Sequence, residues 1–319
     1  MKTAWLLSRG MLLGLLLANC ASAYGQTGRA ATALSYLERG DNWFRKGEYA
    51  RAEADFTLAI ATDSSNAEAY YNRATVRAQL GRLPESLEDF DRALRISPRL
   101  VVAWMNRGNV RYRLGDLDGA IRDSSQALAL DAKLAHAWAI RGLAREKKRD
   151  YAAARADFDQ AIQLGLRSAE VYSNRGVVRF KQGDDDGAIS DQTQALKLQP
   201  DLVGAWCHRG AARQFKGDLA GALSDYNQAL KLDPRFADAW FNRGTLWKLK
   251  GALARAEADF TEFIALQPQS ADGYAQRGLM RLLQNRAAEA QQDFDRCLEL
   301  KPQLRPTLEK MITEAKRRM

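Results

Sequence analysis

The chain has 319 residues, 46% of them apolar and 27% charged, a balance that excludes a disordered polymer and suits a soluble folded protein. Seven prolines and few β-branched runs argue for helix over strand. The formal charge of +9 is spread along the sequence among 39 acidic residues, so it reads as a mixed, solvated surface and nucleic acid is not the expected partner.

At the N-terminus, Lys2 and Arg9 precede an apolar run from Met11 to Ala18, and Ala21-Ser22-Ala23 follows as a small-residue cleavage site. This order predicts a signal peptide over residues 1–23, export to a periplasm or the exterior, and Tyr24 as the first mature residue. The run is too short to span a bilayer, and Arg9 stops its backward extension. A rival reading starts at Cys20. The stretch "LANC" resembles a bacterial lipobox, and lipidation of Cys20 makes a membrane-anchored lipoprotein, although Asn19 stands where Gly, Ala or Ser usually precedes the cysteine. Of the two readings of the N-terminus, only this rival anchors the chain to a membrane. Residues 24–32 read as a short linker.

From Ala33 to Leu304 the chain falls into eight rows of 34 residues without gap or insertion: 33–66, 67–100, 101–134, 135–168, 169–202, 203–236, 237–270 and 271–304. Column 4 of each row is aromatic: Tyr36, Tyr70, Trp104, Trp138, Tyr172, Trp206, Trp240 and Tyr274. Column 8 is Gly or Ala, column 20 is Ala or Ser, and column 24 is an aromatic except at Ser124 and Gln192. Glycine at column 15 interrupts six rows, and proline at column 32 closes five. Each row therefore predicts a helix of about a dozen residues, a glycine turn, a second helix and a closing turn. Small residues at columns 8 and 20 let the two helices approach closely, with the aromatics filling the sides.

This pattern resembles the tetratricopeptide repeat. Arginine at column 7, where the family usually has leucine, is similar to the bacterial "NRG" subtype. The resemblance covers residues 33–304 and implies an all-α, right-handed superhelical solenoid of eight helix-turn-helix repeats. Residues 305–319 read as a capping helix, with Leu304, Leu308, Met311, Ile312 and Ala315 on its apolar face.

Column 7 is arginine in every row (Arg39, Arg73, Arg107, Arg141, Arg175, Arg209, Arg243, Arg277). Column 23 is aspartate in every row (Asp55, Asp89, Asp123, Asp157, Asp191, Asp225, Asp259, Asp293). Both columns share helix faces with packing residues, where an unpaired charge is costly. The expectation is a structural Arg–Asp ladder, within rows or between them. Column 11 adds Arg77, Arg111, Arg145, Arg179, Arg213 and Arg281, whose stems can lie on the core while their heads reach an acid. The rival is a basic track that binds polyanions or anionic membrane through these arginines.

In the resembling family, the first helices line a concave ligand groove. Carried over here, the groove residues are Tyr71, Asn72, Met105, Asn106, Asn109, Tyr112, Ser173, Asn174, Phe180, Cys207, His208, Phe241, Asn242 and Thr245. Asparagine at column 6 offers donors and acceptors to an extended peptide, similar to the asparagine ladder of O-linked N-acetylglucosamine transferase repeats. No lysine occurs at column 5, so the family's clamp for chaperone C-terminal carboxylates is not expected. His136 and His208 fall in different columns, without a metal or triad pattern, and Cys207 and Cys297 read as buried helix cysteines. The expectation is a non-enzymatic scaffold in a bacterial envelope. It has no cofactor, metal or small-molecule substrate, and its partner is another protein or peptide.

N-terminal sequencing of the exported protein is expected to begin at Tyr24. A diacylglyceryl group on Cys20, detected by mass spectrometry, overturns that reading in favour of the lipoprotein.

Overall fold

A computed structural model describes residues 28–317, and the expectations for the leader and Cys20 lie outside them. The described residues form seventeen α-helices and one 3-10 turn, with no strand. The rows pair their helices as α1/α2 (Gly28–Arg45, Tyr49–Thr62), α3/α4 (Ala67–Gln79, Leu83–Ile96), α5/α6 (Val101–Arg113, Leu117–Leu130) and α7/α8 (Ala135–Lys147, Tyr151–Gln163). They continue as α9/α10 (Ala169–Lys181, Asp185–Leu198), α11/α12 (Val203–Phe215, Leu219–Leu232), α13/α14 (Ala237–Leu249, Leu253–Leu266) and α15/α16 (Ala271–Leu283, Ala287–Leu300). After a 3-10 turn at Pro302–Leu304 comes α17 (Arg305–Lys316). The linker expectation needs one correction: α1 starts at Gly28, because the alanine-rich stretch that follows favours helix and contains no breaker.

Local chemistry sets the turns. Gly47, Gly81, Gly115, Gly183, Gly217 and Gly251 have φ between 72° and 85°, the left-handed conformation that ends a helix and that glycine adopts without steric cost. Arg149 and Asn285 take the same position in the two remaining rows, at φ 64° and 60°. Asp116, Asp150, Asp184 and Asp218 then cap the second helices, each accepting a backbone N–H three residues on. Between the helices of a row, column 8 faces the column 24 ring. A Cβ on Gly142, Gly210 or Gly244 would lie 3.0, 2.8 or 2.9 Å from Phe158, Tyr226 or Phe260, so close approach requires glycine there.

The chain divides into two compact units, one ending at Val178 and one beginning at Arg179, within α9. In the first unit, Phe56, Phe90 and Phe158 anchor successive apolar clusters. In the second, Tyr226 and the pair Phe260 and Phe294 do so. Helix α17 buries Leu308 and Ala315 in the same cluster as Leu279 and Phe294, with Leu304, Met311 and Ile312 packed alongside. It covers the apolar side that the last helix pair would otherwise expose. Cys207 and Cys297 are buried free thiols.

The ladder pairs within rows. Arg107 donates from Nε and Nη2 to the two oxygens of Asp123 at 2.8 and 2.7 Å, and six other rows repeat this fork. Column 11 adds a second arginine to the same carboxylate: Arg77 to Asp89, Arg145 to Asp157, Arg213 to Asp225 and Arg281 to Asp293, at 2.8 to 2.9 Å. Arg111 reaches Asp123, and Arg179 reaches Asp191. The guanidinium left over on column 7 turns back to the preceding row. Its Nη1 donates to Thr57, Asp91, Ser125, Asp159, Thr193 or Asn227, all at column 25. In all eight rows the same guanidinium lies 4.6 to 5.8 Å from the centroid of the column 4 ring. These arginines are therefore engaged in holding the fold. The reading of them as a track for polyanions or anionic membrane is corrected, because their donors are directed into the protein.

Rows 1 and 7 modify the ladder in the same way. Both carry the octapeptide "ARAEADFT", and both place tryptophan at column 11. Arg51 and Arg255 lie over Trp43 and Trp247 at 4.8 Å, while Glu53 binds Arg77 and Arg82, and Glu257 binds Arg281 and Arg286.

Asp225 is nearly inaccessible and accepts from both Arg209 and Arg213. Asp225→Ala leaves two guanidinium groups without their acid and is expected to cost about 3 to 5 kcal/mol in urea unfolding. An Arg209→Ala/Asp225→Ala double-mutant cycle should show strong coupling; independent, additive losses would remove the ladder as the tie between the helices.

Candidate functional site

Columns 2, 6, 9 and 13 recur at helical spacing, so they share the outer face of each first helix, with columns 5 and 12 at its margins. The structure sorts the fourteen groove residues by depth. Asn109, Asn174, Asn106, Asn242, Tyr112 and Thr245 are half-buried on this face, and His208 is exposed. Met105, Ser173, Cys207 and Asn72 are buried, which corrects their reading as groove lining. Met105 packs in one cluster with Ala137 and Ile140 of the next row, and Cys207 with Tyr226, Ala239 and Leu246. Column 5 is therefore the seam between successive first helices. Tyr71 and Phe241, also at column 5, face the second helix of their own row: Tyr71 lies 6.0 Å from the ring of Phe90, and Phe241 5.6 and 5.0 Å from Phe260 and Phe263. Phe180 meets Phe215 edge-on at 5.1 Å, near the C-terminal ends of α9 and α11.

The column 6 asparagines are held by one end. Asn106 Nδ2 donates to Tyr71 Oη at 3.1 Å, and Asn242 Nδ2 donates to Cys207 Sγ at 3.4 Å; both acceptors stand at column 5 of the preceding row. Asn72 Nδ2 donates to Asp41 Oδ1 at 3.1 Å. Among the described residues, the carbonyl oxygens of Asn106 and Asn242 take no protein donor, and Asn174 makes no side-chain hydrogen bond. The seam thus fixes each amide plane and leaves its acceptor unused. Thr75 and Thr245 bond their own helices, to the carbonyls of Tyr71 and Phe241.

Burial governs the titratable groups here. It pushes the Tyr71 phenol up to about 12, against the opposing bonds with Thr75 and Asn106. It pushes the Cys207 thiol up to about 12, so Cys207 is a packing residue and carries no thiolate chemistry at neutral pH. The Tyr112 phenol is raised, and the His136 imidazole lowered, by burial. Asp41 is raised to about 6, first by burial and then by the charge of Glu68. No cluster of three or more potential metal ligands occurs among the described residues.

Sequence reasoning missed the column 25 acceptors. Their signal was present, since every row has Thr, Asp, Ser or Asn there. It also missed Asp41, which becomes part of the face only because Asn72 of the next row reaches it.

Tetratricopeptide repeat families match residues 37–100, 141–202, 216–251 and 271–304, together more than half of the chain. Among solved structures, the Cut9–Hcn1 hetero-tetramer of the APC/C is similar at TM-score 0.65 and 16% identity, over 88% of this chain and 55% of that one. PilF of Pseudomonas aeruginosa is similar at TM-score 0.60 and 18% identity, over 67% and 97%. A tetratricopeptide repeat protein from Parabacteroides merdae is similar at TM-score 0.59 and 19% identity, over 78% and 99%. At these identities the likeness is one of fold alone. No curated protein matches the chain.

Asp41 gives the site a pH signature. Its carboxyl titrates near 6 in the folded chain, against an ordinary value of 3.8, so the folded state holds this proton more tightly than the unfolded state does. The contribution to stability is complete below the ordinary value and is lost as pH rises through about 6. Asp41→Asn should therefore stabilise the chain by about 1 to 3 kcal/mol at neutral pH and by almost nothing near pH 4. Urea unfolding at both pH values checks this, and an equal effect at the two would exclude the linkage.

Proposed function

The chain belongs to the tetratricopeptide repeat family, and from that premise we propose that it is a non-enzymatic scaffold binding a peptide or partner protein along its first-helix faces. Proteins of this family generally bind other proteins or peptides. The observation that carries the finer reading is the pair of unused carbonyl oxygens on Asn106 and Asn242, each pinned by its Nδ2 to the preceding row. In the first unit Asn106 and the open amide of Asn174, and in the second unit Asn242, each offer acceptors for the backbone N–H groups of an extended chain. Backbone recognition supplies affinity without demanding a particular sequence, and the adjacent Tyr71, Tyr112 and Phe241 offer apolar flanks for side chains. Each row contributes little, so useful affinity requires several rows of one unit engaged by the same ligand. We also propose that the scaffold works in a bacterial envelope, a reading supported by the leader-like order of residues 1–23.

Selection of peptides from a displayed library against the folded chain, followed by titration calorimetry, tests the site. The triple variant Asn106→Ala, Asn174→Ala, Asn242→Ala is expected to weaken selected peptides by about tenfold or more, as the loss of several hydrogen bonds of about 1 kcal/mol each implies. Its unfolding transition should move little, because the ladder is untouched. Unchanged affinity in the triple variant would remove the first-helix face as the site.

A further inference from the structure

In a chain of net charge +9, the first-helix face of the first unit begins with acids. Columns 2, 6 and 9 of rows 1 and 2 hold Glu38, Asp41 and Glu68 and no cation. The charges of Glu68 and Glu38 both act on Asp41, so the three carboxyls share one field. Among the described residues none of the three forms an ion pair, whereas every column 23 aspartate is matched by at least one arginine. Arg45 lies close by, but its donors go to the carbonyl oxygen of Asp41 and to Asn42 Oδ1.

A buried acceptor lies beside these acids. Asn72 is only 6% exposed, and its Nδ2 donates to Asp41 Oδ1 at 3.1 Å, which fixes the amide against that carboxylate. Glu68 stands one helical turn before it, on the same side of the helix. Among the described residues the Asn72 carbonyl accepts nothing. An acceptor at this depth is satisfied only by a donor from outside the chain. Glu68 itself is exposed, yet burial raises its carboxyl above the ordinary value, as for a group that reaches water past a wall of protein. Tyr71 belongs to the same patch, since the charges of Glu68 and Asp41 add to burial in raising its phenol.

We propose that Asp41, Glu68 and the Asn72 carbonyl form a seat for an alkylammonium group, supplied by a lysine side chain or by the N-terminus of a bound chain. The inference rests on the reading of the first-helix face as a binding face, and adds what the first unit selects there. A water would satisfy Asn72 and leave the carboxylates unmatched, whereas an ammonium answers both. An ammonium also brings three donors to three separate acceptors. A guanidinium fork takes both oxygens of one carboxylate, as in the ladder, and Oδ1 of Asp41 is already engaged by Asn72. Tyr71 links the seat to Asn106 of row 3, so one bound chain spans both.

The test uses the chain from Tyr24 onward, which keeps every described helix. The probes are hexapeptides alternating glycine with lysine, arginine or glutamine, acetylated and amidated, and the glutamine peptide with a free N-terminus. Titration calorimetry at low salt reads affinity, and the Asn72 side-chain amide resonance reads the place of binding. The lysine peptide should bind about tenfold or more tighter than the blocked glutamine peptide and should shift that resonance. Asp41→Asn with Glu68→Gln should weaken it about tenfold. Glu48→Gln with Glu88→Gln, the same charge change at exposed acids of a turn and a second helix, should leave it unchanged. Circular dichroism confirms that each variant is folded. Tight binding of the unblocked glutamine peptide identifies a chain N-terminus as the occupant, and weak binding identifies the lysine side chain; either supports the seat. Equal affinity of the blocked lysine and glutamine peptides overturns it, as do tighter binding of the arginine peptide and equal losses in the two paired variants. Library-selected peptides that weaken in the asparagine variant but ignore Asp41→Asn and Glu68→Gln would sink the seat and leave the backbone reading. Lysine binding lost in the seat variant, with the asparagine variant silent, would do the reverse.

Discussion

A buried carboxylate that must be matched by cations sets the terms for this fold. Each column 23 aspartate lies between the two helices of its row, where an unmatched charge would be more costly than any packing contact is favourable. The match comes from a planar guanidinium with donors in a fixed fork, which a lysine cannot reproduce. One side of the column 7 arginine binds the aspartate 16 residues ahead, and Nη1 binds the acceptor 16 residues behind. Three helices are thereby fastened to one group of atoms. A one-residue insertion within either helix, between the turn and the ladder residue, would rotate that residue by about 100° and break the contact. The absence of any gap across the eight rows follows from that geometry.

Much of this was legible in the sequence because the ladder repeats with the rows. An arginine and an aspartate at fixed columns, each beside small residues, already pointed to paired charges. The aromatic and glycine columns, and the apolar face of α17, likewise announced the packing they make. The column 5 seam was not legible. Its residues are Leu, Tyr, Met, Ala, Ser, Cys, Phe and Ala, a variety that reads as tolerant surface. The structure shows variety of another kind, in which each seam residue fits whatever the next first helix presents: Met105 meets Ala137 and Ile140, while Cys207 meets Ala239 and Leu246. Periodicity fixes the direction of a side chain around its own helix, but the position of the neighbouring helix decides whether that direction ends in solvent.

The same division explains why polar groups at the candidate site remain half-satisfied. A surface amide free to rotate would turn both ends to water, and ordering it on binding would cost entropy. Here the seam holds Nδ2 of Asn106 and Asn242, so only the carbonyl remains for a ligand and its direction is already set. Asp41 shows the opposing cost. Its carboxyl is held under burial and beside Glu68, an arrangement that works against folding at neutral pH. The ladder, with several charge-assisted bonds in each row, is strong enough to carry such a residue.

The cations at the turns between first and second helices have a plain origin, since a lysine or arginine in the last turn of a helix is stabilised by the helix dipole. That account covers Lys147 and Arg113, which end their helices. It does not extend to Arg149, which lies beyond the helix in a conformation that arginine disfavours. Nor does it reach Phe215 and Leu249, because an apolar side chain gains nothing from a dipole and loses by facing water. Phe215 keeps part of its ring against Phe180, which it meets edge-on at 5.1 Å. Within each unit these turns lie at the ends of the first helices, while the asparagines lie along their lengths, so the turn chemistry and the amide face are set by different parts of the same row.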